Sequence, residues 1–376
     1  MTDSTNPTGE SLEREMDRVQ APLVESLRRF RAGLATNAAP PIYMFFTGGL
    51  LHWVFKALEF LPREVNLVLL GAGLSDEEKA CLARRTDRPF HAIDQEVDDR
   101  TAWELLWAVE RGPFGWLDVD AFVLDPDLMG EMSEVPEGVA FNCLWAHDTG
   151  RGVKLPYPHF VFVGGELAAD EELRALGVTP GSYSYEGGQG RRRFPWACDR
   201  RLDGELRSAV DRVIGPPEER DEPYFNERPF FEPLQVLALA AYDRGYRLQE
   251  VRTLGDRRDE DHWNEQIIHV SSVSYVVRPD FPWGELPLSP RRRYLMILVS
   301  DYLLANDLAD ELPEAYRAQT AERRARVEAI AEKSFSDERL RTAARALMTH
   351  CVSEEAIVAD ERWRFVRATA DPVAVA

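Results

Sequence analysis

The chain has 376 residues, of which 44% are apolar, and its formal net charge is −20. This length allows one large α/β unit with appended segments, and the negative charge argues against nucleic acid as a partner because nothing offsets repulsion by the phosphates. The four cysteines lie far apart, which is typical of reduced thiols in a cytoplasmic protein. No apolar run is long enough for a transmembrane segment, and the polar N-terminus indicates no signal peptide. Arginine strongly outnumbers lysine, a bias that we attribute to a GC-rich, bacterial genome.

Residues 1–40 are predicted to form an N-terminal helical extension that is partly disordered. From Ser11 onward, apolar residues recur at helical spacing with Glu and Arg between them. Pro22 lies inside this pattern and is expected to divide it into two helices. Residues 35–41 then read as a linker.

From residue 41 the pattern alternates between strands and helices. Short apolar runs predict strands at 42–46, 65–70 and 90–93, and helices follow each of them. Ser75 and Glu78 form a capping box for the second helix, and Asp98 or Asp99 caps the third. A fourth apolar run ends in Asp118-Val119-Asp120. This order predicts a parallel sheet covered by helices, with ligands at the carboxyl ends of its strands.

The second half of the chain is less regular. Further strands are predicted at 138–145, 159–164, 246–251 and 266–270, with helices at 170–176 and 234–244. Residues 181–196 are rich in Gly, Ser, Tyr and Arg, which suits either a mobile lid or a plain surface loop. Residues 291–376 read as a helical C-terminal extension outside a central domain at 41–290.

Asp118 and Asp120 are candidates for metal binding. A buried strand that ends in two carboxylates is costly unless their charge is compensated, and a divalent cation compensates it well. An acidic turn exposed to solvent is the simpler alternative, because the Asp-x-Asp tripeptide alone is common.

In its context, Phe114–Pro126 resembles the Asp-x-Asp segment of nucleotide-sugar glycosyltransferases of the GT-A type. The resemblance covers residues 41–290 and implies a GT-A-like, Rossmann-like mixed sheet flanked by helices. It also implies a metal-dependent hexosyltransferase that takes its sugar from a UDP- or GDP-sugar. In that family the motif holds Mn²⁺ or Mg²⁺ on the donor diphosphate. The acceptor would be a small soluble molecule or a sugar chain.

The same resemblance implies a third metal ligand, a histidine late in the domain. His269 in Gln266–Ser272 matches that segment, so the expected ligands are Asp118, Asp120 and His269. Imidazole and carboxylate together are a reasonable environment for Mn²⁺. A hydrogen-bonded structural role for His269 stays open, and His262 is the weaker candidate.

Donor recognition is expected after the first strands. Phe46, Thr47 and Gly48 are the candidates there, because glycine permits close approach and a helix start favours anions. Asp94 would contact base or ribose, and Asp118 and Asp120 would complete the donor site. A simple turn at Thr47 and an exposed helix cap at Asp94 are the alternatives.

Glu232 is the candidate catalytic base, because Phe231–Gln235 is similar to the acidic helix start of inverting family members. Glu232 would take the proton from the acceptor hydroxyl, while Asp120 would act through the cation. The alternative is a carboxylate favoured by the helix dipole, with Pro233 at the first helical position.

Two other functions remain open. A nucleotidyltransferase can also carry carboxylates after a central strand, but residues 47–51 lack the basic side chain expected there. A non-catalytic subunit of the same fold could use the helical tail as its contact surface. The terminal helices also allow a homodimer.

Overall fold

The computed structural model describes residues 9–35, 39–188, 194–219, 230–252 and 266–269, together with residues 273, 301, 308 and 310–316. Its helices are α1 (Gly9–Gly33), α2 (Leu51–Glu59), α3 (Asp76–Arg85), α4 (Asp99–Val109), α5 (Asp127–Ser133), α6 (Gly165–Ala169), α7 (Glu171–Ala175), α8 (Gly204–Ile214) and α9 (Gln235–Asp243). Its strands are β1 (Ile42–Thr47), β2 (Leu67–Ala72), β3 (Phe90–Ile93), β4 (Phe114–Asp118), β5 (Ala121–Val123), β6 (Val139–Cys143), β7 (Ala146–Asp148), β8 (Lys154–Pro156), β9 (Phe160–Val163), β10 (Tyr183–Ser184), β11 (Arg200–Arg201), β12 (Phe230–Phe231), β13 (Arg247–Glu250) and β14 (Ile267–His269).

A seven-stranded sheet in the order β13-β6-β9-β4-β1-β2-β3 forms the centre of the molecule. Strands β4, β1, β2 and β3 run parallel, as the alternating pattern predicts. Strand β9 runs antiparallel to both of its neighbours, β4 and β6. The predicted mixed α/β sheet flanked by helices is therefore confirmed.

Both faces of this sheet are covered, which explains why its strands read as continuous apolar runs. In β1, Met44 and Phe46 pack into the core beneath α2, α3 and α5. The alternate residues Tyr43 and Phe45 pack into the core beneath α1, α4 and α9. The sheet is thus held between two helical layers.

The helix caps predicted from the sequence are present in the structure. The Ser75 hydroxyl accepts a hydrogen bond from the Glu78 N–H at 3.2 Å, and the Glu78 carboxylate accepts one from the Ser75 N–H at 2.8 Å. Asp98, rather than Asp99, caps α4 by accepting from the Thr101 N–H at 3.0 Å. These caps fix where two helices begin beside the carboxyl edge of the sheet.

The predicted break at Pro22 is wrong, because α1 is one continuous helix. Pro22 and Arg18 are both exposed. Because proline has no N–H, the Arg18 carbonyl lacks its usual helical partner, and at this exposed position it can bond to water instead. Leu27 of α1 is buried and packs into the same core as the apolar residues of α4.

Residues 181–188 are packed into the protein rather than looping over its surface. Tyr183 is fully buried, and β10 pairs with β11 and with Phe231 of β12. This part of the predicted lid is therefore buried and contains the short strand β10, and residues 189–193 lie outside the described residues. Helix α8 and the β7–β8 hairpin were not predicted.

The described residues of the predicted C-terminal extension pack on the central domain. Leu308, Leu312 and Tyr316 belong to the core beneath α2 and α3. Asp301 is fully buried against α2. Among the described residues, no helix is long and apolar enough to cross a membrane.

Candidate metal and donor site

Asp118 is the last residue of β4 and lies opposite Phe45 of β1. It therefore lies at the carboxyl edge of the parallel strands, where ligands bind in such sheets. The Trp116 indole N–H donates to its Oδ1 at 2.7 Å, which fixes the orientation of the carboxylate. The side chain remains 27% exposed. Asp118 is thus held in place and still open to solvent.

His159 immediately precedes β9, the antiparallel neighbour of β4. Because Leu117 pairs with Phe160, His159 lies beside Asp118 at the end of the sheet. The His159 Nδ1 is 3.1 Å from Asp118 Oδ2. Backbone pairing supports this contact, since the Asp118 N–H donates to the His159 carbonyl at 2.9 Å.

His269 reaches the same point from a second, two-stranded sheet. Strand β14 pairs antiparallel with β5, which sets His269 opposite Ala121. Its Nε2 lies 3.4 Å from Asp118 Oδ2 and 3.5 Å from Asp120 Oδ1. His269 and Asp120 are both buried, and Asp120 also accepts from the Val273 N–H at 3.3 Å. The predicted Asp118, Asp120 and His269 therefore come together.

Three of these side chains have the arrangement of a metal site. Asp118, His159 and His269 each offer a ligand atom, and these atoms lie within 4.8 Å of one another. We call these three residues the Asp118 cluster. One carboxylate and two imidazoles suit Mn²⁺ and related ions, so the donor set fits a divalent cation. Asp120 is not one of the three, but its carboxylate contacts His269 of the cluster.

The electrostatics of the cluster also suit a cation. Burial opposes ionisation of Asp118, but hydrogen bonds from His159 and His269 outweigh it and hold the Asp118 pKa well below its usual range. Burial likewise opposes protonation of His269, but hydrogen bonds to Asp118 and Asp120 raise its pKa to about 9. Without a metal ion, protonated His269 thus supplies the positive charge that a cation would bring to the two carboxylates.

Aromatic rings hold the two imidazoles. Tyr157 stacks on His159 with centroids 6.0 Å apart, and the two imidazoles lie 4.0 Å apart. Trp145 lies 6.2 Å from His159 and 5.8 Å from His269. Trp145 and Tyr157 are buried, so they limit the positions that the rings can take.

The predicted donor residues lie at the same edge of the sheet, but their backbone groups are partly occupied. We call Thr47–Gly49 the donor loop. The Gly48 N–H donates to the Ala72 carbonyl at 3.0 Å, and the Gly49 N–H donates to the Glu78 carboxylate at 2.7 Å. A carboxylate already lies against this helix start, and the predicted donor role of Phe46, Thr47 and Gly48 stays a prediction.

The side chains of the predicted donor residues differ in accessibility. Phe46 points into the core and Thr47 is buried, whereas Gly48 is exposed. Asp94 is 88% exposed and lies 3.6 Å from Lys79, but it is not the helix cap that the alternative predicts, because Asp98 caps α4. Of the predicted donor residues at this edge, Gly48 and Asp94 are therefore the exposed ones, and their role in donor binding stays a prediction.

Glu232 lies between β12 and α9. The predicted helix start is wrong, because α9 begins at Gln235 after Leu234, whose φ of 71° is left-handed. Pro233 is therefore outside the helix. The Glu232 N–H donates to the Gln235 side chain at 2.9 Å. Glu232 is not a member of the Asp118 cluster, and its role as a base stays a prediction. His262 lies outside the described residues.

The sequence analysis did not identify His159 as a candidate ligand. It identified the strand that follows, but the alternating pattern led us to expect parallel neighbours for β4. Only an antiparallel β9 brings the start of that strand beside Asp118. A histidine directly before a buried apolar run was the available signal.

Comparison with known proteins connects this region to glycosyltransferases. Residues 17–168 match the family described as the StrH glycosyltransferase N-terminal domain. A dTDP-dihydrostreptose–streptidine-6-phosphate dihydrostreptosyltransferase from Streptomyces griseus is 32% identical over 196 residues. That alignment covers 51% of this chain and 50% of the relative, so the chain spans about half the length of the relative that it matches.

Solved structures of glycosyltransferases show distant similarity. The galactosyltransferase LgtC, in complex with donor and acceptor sugar analogues, has a TM-score of 0.37 and 11% identity, covering 74% of this chain and 99% of that one. GlyE from Streptococcus pneumoniae has a TM-score of 0.34 and 10% identity, covering 73% and 64%. The family match is therefore the informative comparison, and it includes Asp118, Asp120 and His159 but ends before His269.

Proposed function

We propose that the protein is a metal-dependent glycosyltransferase that moves a sugar from a nucleotide-diphospho-sugar to an acceptor hydroxyl. The Asp118 cluster carries this proposal, because it offers a metal-ligand set at the carboxyl edge of the sheet. The donor loop lies at the same edge, one strand away. The match to the StrH glycosyltransferase N-terminal domain supports the same reaction class.

Asp118, His159 and His269 would hold Mn²⁺ or Mg²⁺. When bound, the cation would offset the negative charge that grows on the departing diphosphate. Asp120 Oδ1 lies 3.5 Å from the same His269 Nε2 atom that faces Asp118, so Asp120 would add negative charge close to the cation. Trp116 would fix the second oxygen of Asp118.

The donor loop would receive the nucleoside rather than the diphosphate. Its N–H groups already donate to Ala72 and Glu78, and Glu78 adds a carboxylate that would repel phosphate. The exposed face of Gly48 and the margin near Asp94 remain for the base and ribose. The diphosphate would then lie toward the Asp118 cluster, where a cation balances its charge.

The relative's name contains a dTDP-sugar and a phosphorylated acceptor. We therefore propose dTDP-sugars alongside UDP- and GDP-sugars as donors, and a small soluble acceptor that bears a hydroxyl. Glu232 is the proposed base for an inverting reaction. Replacing Glu232 by Gln would then abolish transfer without weakening donor binding.

Calorimetric titration with dTDP, UDP and GDP, each with and without Mn²⁺, tests the proposal. We expect one nucleotide to bind with an affinity that depends on Mn²⁺, and Asp118→Asn to remove that dependence. Asp203→Asn is the matched control, because Asp203 is an exposed carboxylate outside the Asp118 cluster and outside the proposed donor site. Failure of all three nucleotides to bind would refute the proposal. Binding without any hydrolysis or transfer of the donor sugar would favour a non-catalytic subunit.

A further inference from the structure

A short part of the chain far beyond the sheet packs against the helix that follows the donor loop. We call residues 308 and 310–316 the C-terminal segment. Leu308, Leu312 and Tyr316 are buried in the core shared with α2 and α3. Glu311 forms an ion pair with Arg85 at the surface of α3. The C-terminal segment is thus part of the folded domain.

Tyr316 contacts the first residue of α2. Its hydroxyl oxygen accepts a hydrogen bond from the Leu51 N–H at 3.1 Å. The N-cap residue of this helix is Leu50, which offers no side-chain cap. The first N–H groups of a helix lack partners within it. Tyr316, which is remote in sequence, therefore provides the hydrogen-bond acceptor that a Ser or Asp at the N-cap would normally provide.

The same hydroxyl connects to the donor loop through Glu78. Tyr316 donates to Glu78 Oε1 at 2.6 Å, and that oxygen also accepts from the Gly49 N–H at 2.7 Å. The other oxygen of Glu78 accepts from the Ser75 N–H. Glu78 and Tyr316 are both buried. One carboxylate therefore ties the donor loop, the start of α3 and the C-terminal segment together.

The donor loop tolerates little displacement. A Cβ on Gly48 would lie 2.8 Å from the Gly73 carbonyl oxygen and 3.2 Å from Glu78 Oε2. Gly49 has a φ of +88°, which favours glycine. Gly48 therefore lies close to both the Gly73 backbone and the Glu78 carboxylate, and Gly49 bonds to that carboxylate, so a displacement of Glu78 should disturb the loop.

We propose that Tyr316 is a positioning residue, which holds the donor loop in the shape that receives the donor nucleoside. The donor part of this inference rests on the proposed function. The claim that Tyr316 fixes the loop in place rests only on the contacts of Tyr316 and Glu78. Removing the hydroxyl leaves the buried Glu78 carboxylate and the Leu51 N–H each without one hydrogen bond, and such losses are poorly tolerated in a protein interior.

Tyr316→Phe tests this proposal, because it keeps the buried ring and removes only the hydroxyl. The matched control is Glu311→Gln, in the same segment but contacting α3 at Arg85. We expect amide hydrogen exchange of residues 47–54 to become about tenfold faster in Tyr316→Phe and to stay unchanged in Glu311→Gln. Nucleotide affinity should fall about fivefold to tenfold, while Mn²⁺ affinity should stay within about twofold of the original.

Unchanged exchange at residues 47–54 would overturn the proposal. An equal loss of Mn²⁺ affinity would also overturn it, because the defect would then not be confined to the loop. Should Tyr316→Phe fail to fold, Glu78→Gln weakens the same hydrogen bond by changing its acceptor. It should likewise speed exchange at residues 47–54 and weaken nucleotide binding without weakening Mn²⁺ binding. If the original protein binds no nucleotide, the proposed function fails, and the exchange measurement alone decides whether Tyr316 holds the loop.

Discussion

Within the part of the chain that the structure describes, aspartate and histidine side chains meet at two places, which differ in what surrounds them. Asp301 Oδ1 lies 2.5 Å from His52 Nε2, and both side chains are completely buried. The Trp53 indole N–H also donates to Asp301 at 3.0 Å. In the Asp118 cluster, by contrast, one carboxylate meets two imidazoles and is 27% exposed.

The difference shows how the same two residue types serve different purposes. The Asp301 oxygen that faces His52 is also bonded to an indole, and the pair is sealed by the surrounding core, so it acts as a structural link between α2 and residue 301. In the Asp118 cluster the ligand atoms converge on one point and solvent reaches it. Convergence and access, rather than the presence of histidine and aspartate, mark a metal site.

The largest effect should come from Asp118→Asn. The substitution keeps the size of the side chain but removes the charge that balances the cation. We expect sugar transfer to fall by at least about 100-fold. In the presence of a chelator the free energy of unfolding should fall by less than in Asp301→Ala, because solvent reaches the Asp118 side chain and asparagine can keep the bond from Trp116. Donor turnover and urea unfolding measure the two quantities. A variant that keeps Mn²⁺-dependent turnover would exclude Asp118 as a ligand.

Asp301→Ala should produce the opposite pattern. The substitution removes the acceptor of two buried hydrogen bonds, from the His52 ring and the Trp53 indole, so we expect the free energy of unfolding to fall by about 1–3 kcal/mol for each. Because Asp301 contacts α2 and not the Asp118 cluster, Mn²⁺ affinity of the folded protein should be retained. Urea unfolding and Mn²⁺ titration under native conditions check this. Loss of Mn²⁺ affinity in a well-folded variant would contradict the separation of the two pairs.

His159→Gln should weaken Mn²⁺ binding by about 10-fold to 100-fold, a range typical of disturbed metal sites. His147→Gln is the matched control, because His147 lies in the neighbouring hairpin and packs on Tyr157 without belonging to the cluster. Calorimetry on both variants measures the effect. Equal losses in the two would indicate that aromatic packing, rather than ligation by His159, explains the change.

The smallest effect should be a dependence of Mn²⁺ affinity on pH. His269 has a pKa raised to about 9, so at neutral pH it carries a proton that a metal must displace. Below that pKa, affinity should therefore rise nearly tenfold for each unit increase in pH. Titrations at pH 7 and 8 measure the slope. His269→Gln should abolish it, and a slope that persists in this variant would assign the proton to another group.

Local patterns predicted the parts of the fold that depend on local physics. The strand and helix alternation from Ile42 to Asp118 is readable because each element carries its own apolar period. The capping box at Ser75 and Glu78 likewise lies within four consecutive residues. Asp118, Asp120 and His269 were found through the resemblance to GT-A glycosyltransferases, and the structure brings them together.

Three of the misses involve contacts or backbone geometry that the neighbouring sequence does not reveal. His159 becomes a candidate ligand only because β9 is inserted antiparallel beside β4. Glu78 reads as a local cap, yet it also receives Tyr316 from far along the chain. Leu234 adopts a left-handed conformation that its residue type does not favour, and this moves the start of α9. No short window of sequence contains these partners.

The pairing of β14 with β5 has a consequence for synthesis of the protein. A ribosome produces Asp118 and His159 well before it produces His269, and domains generally fold from the N-terminal end as the chain emerges. The central sheet can therefore form while one imidazole is still missing, and the last strand closes a site whose other walls are already built. Capture of Mn²⁺ by nascent chains of increasing length would report the moment at which that strand is added.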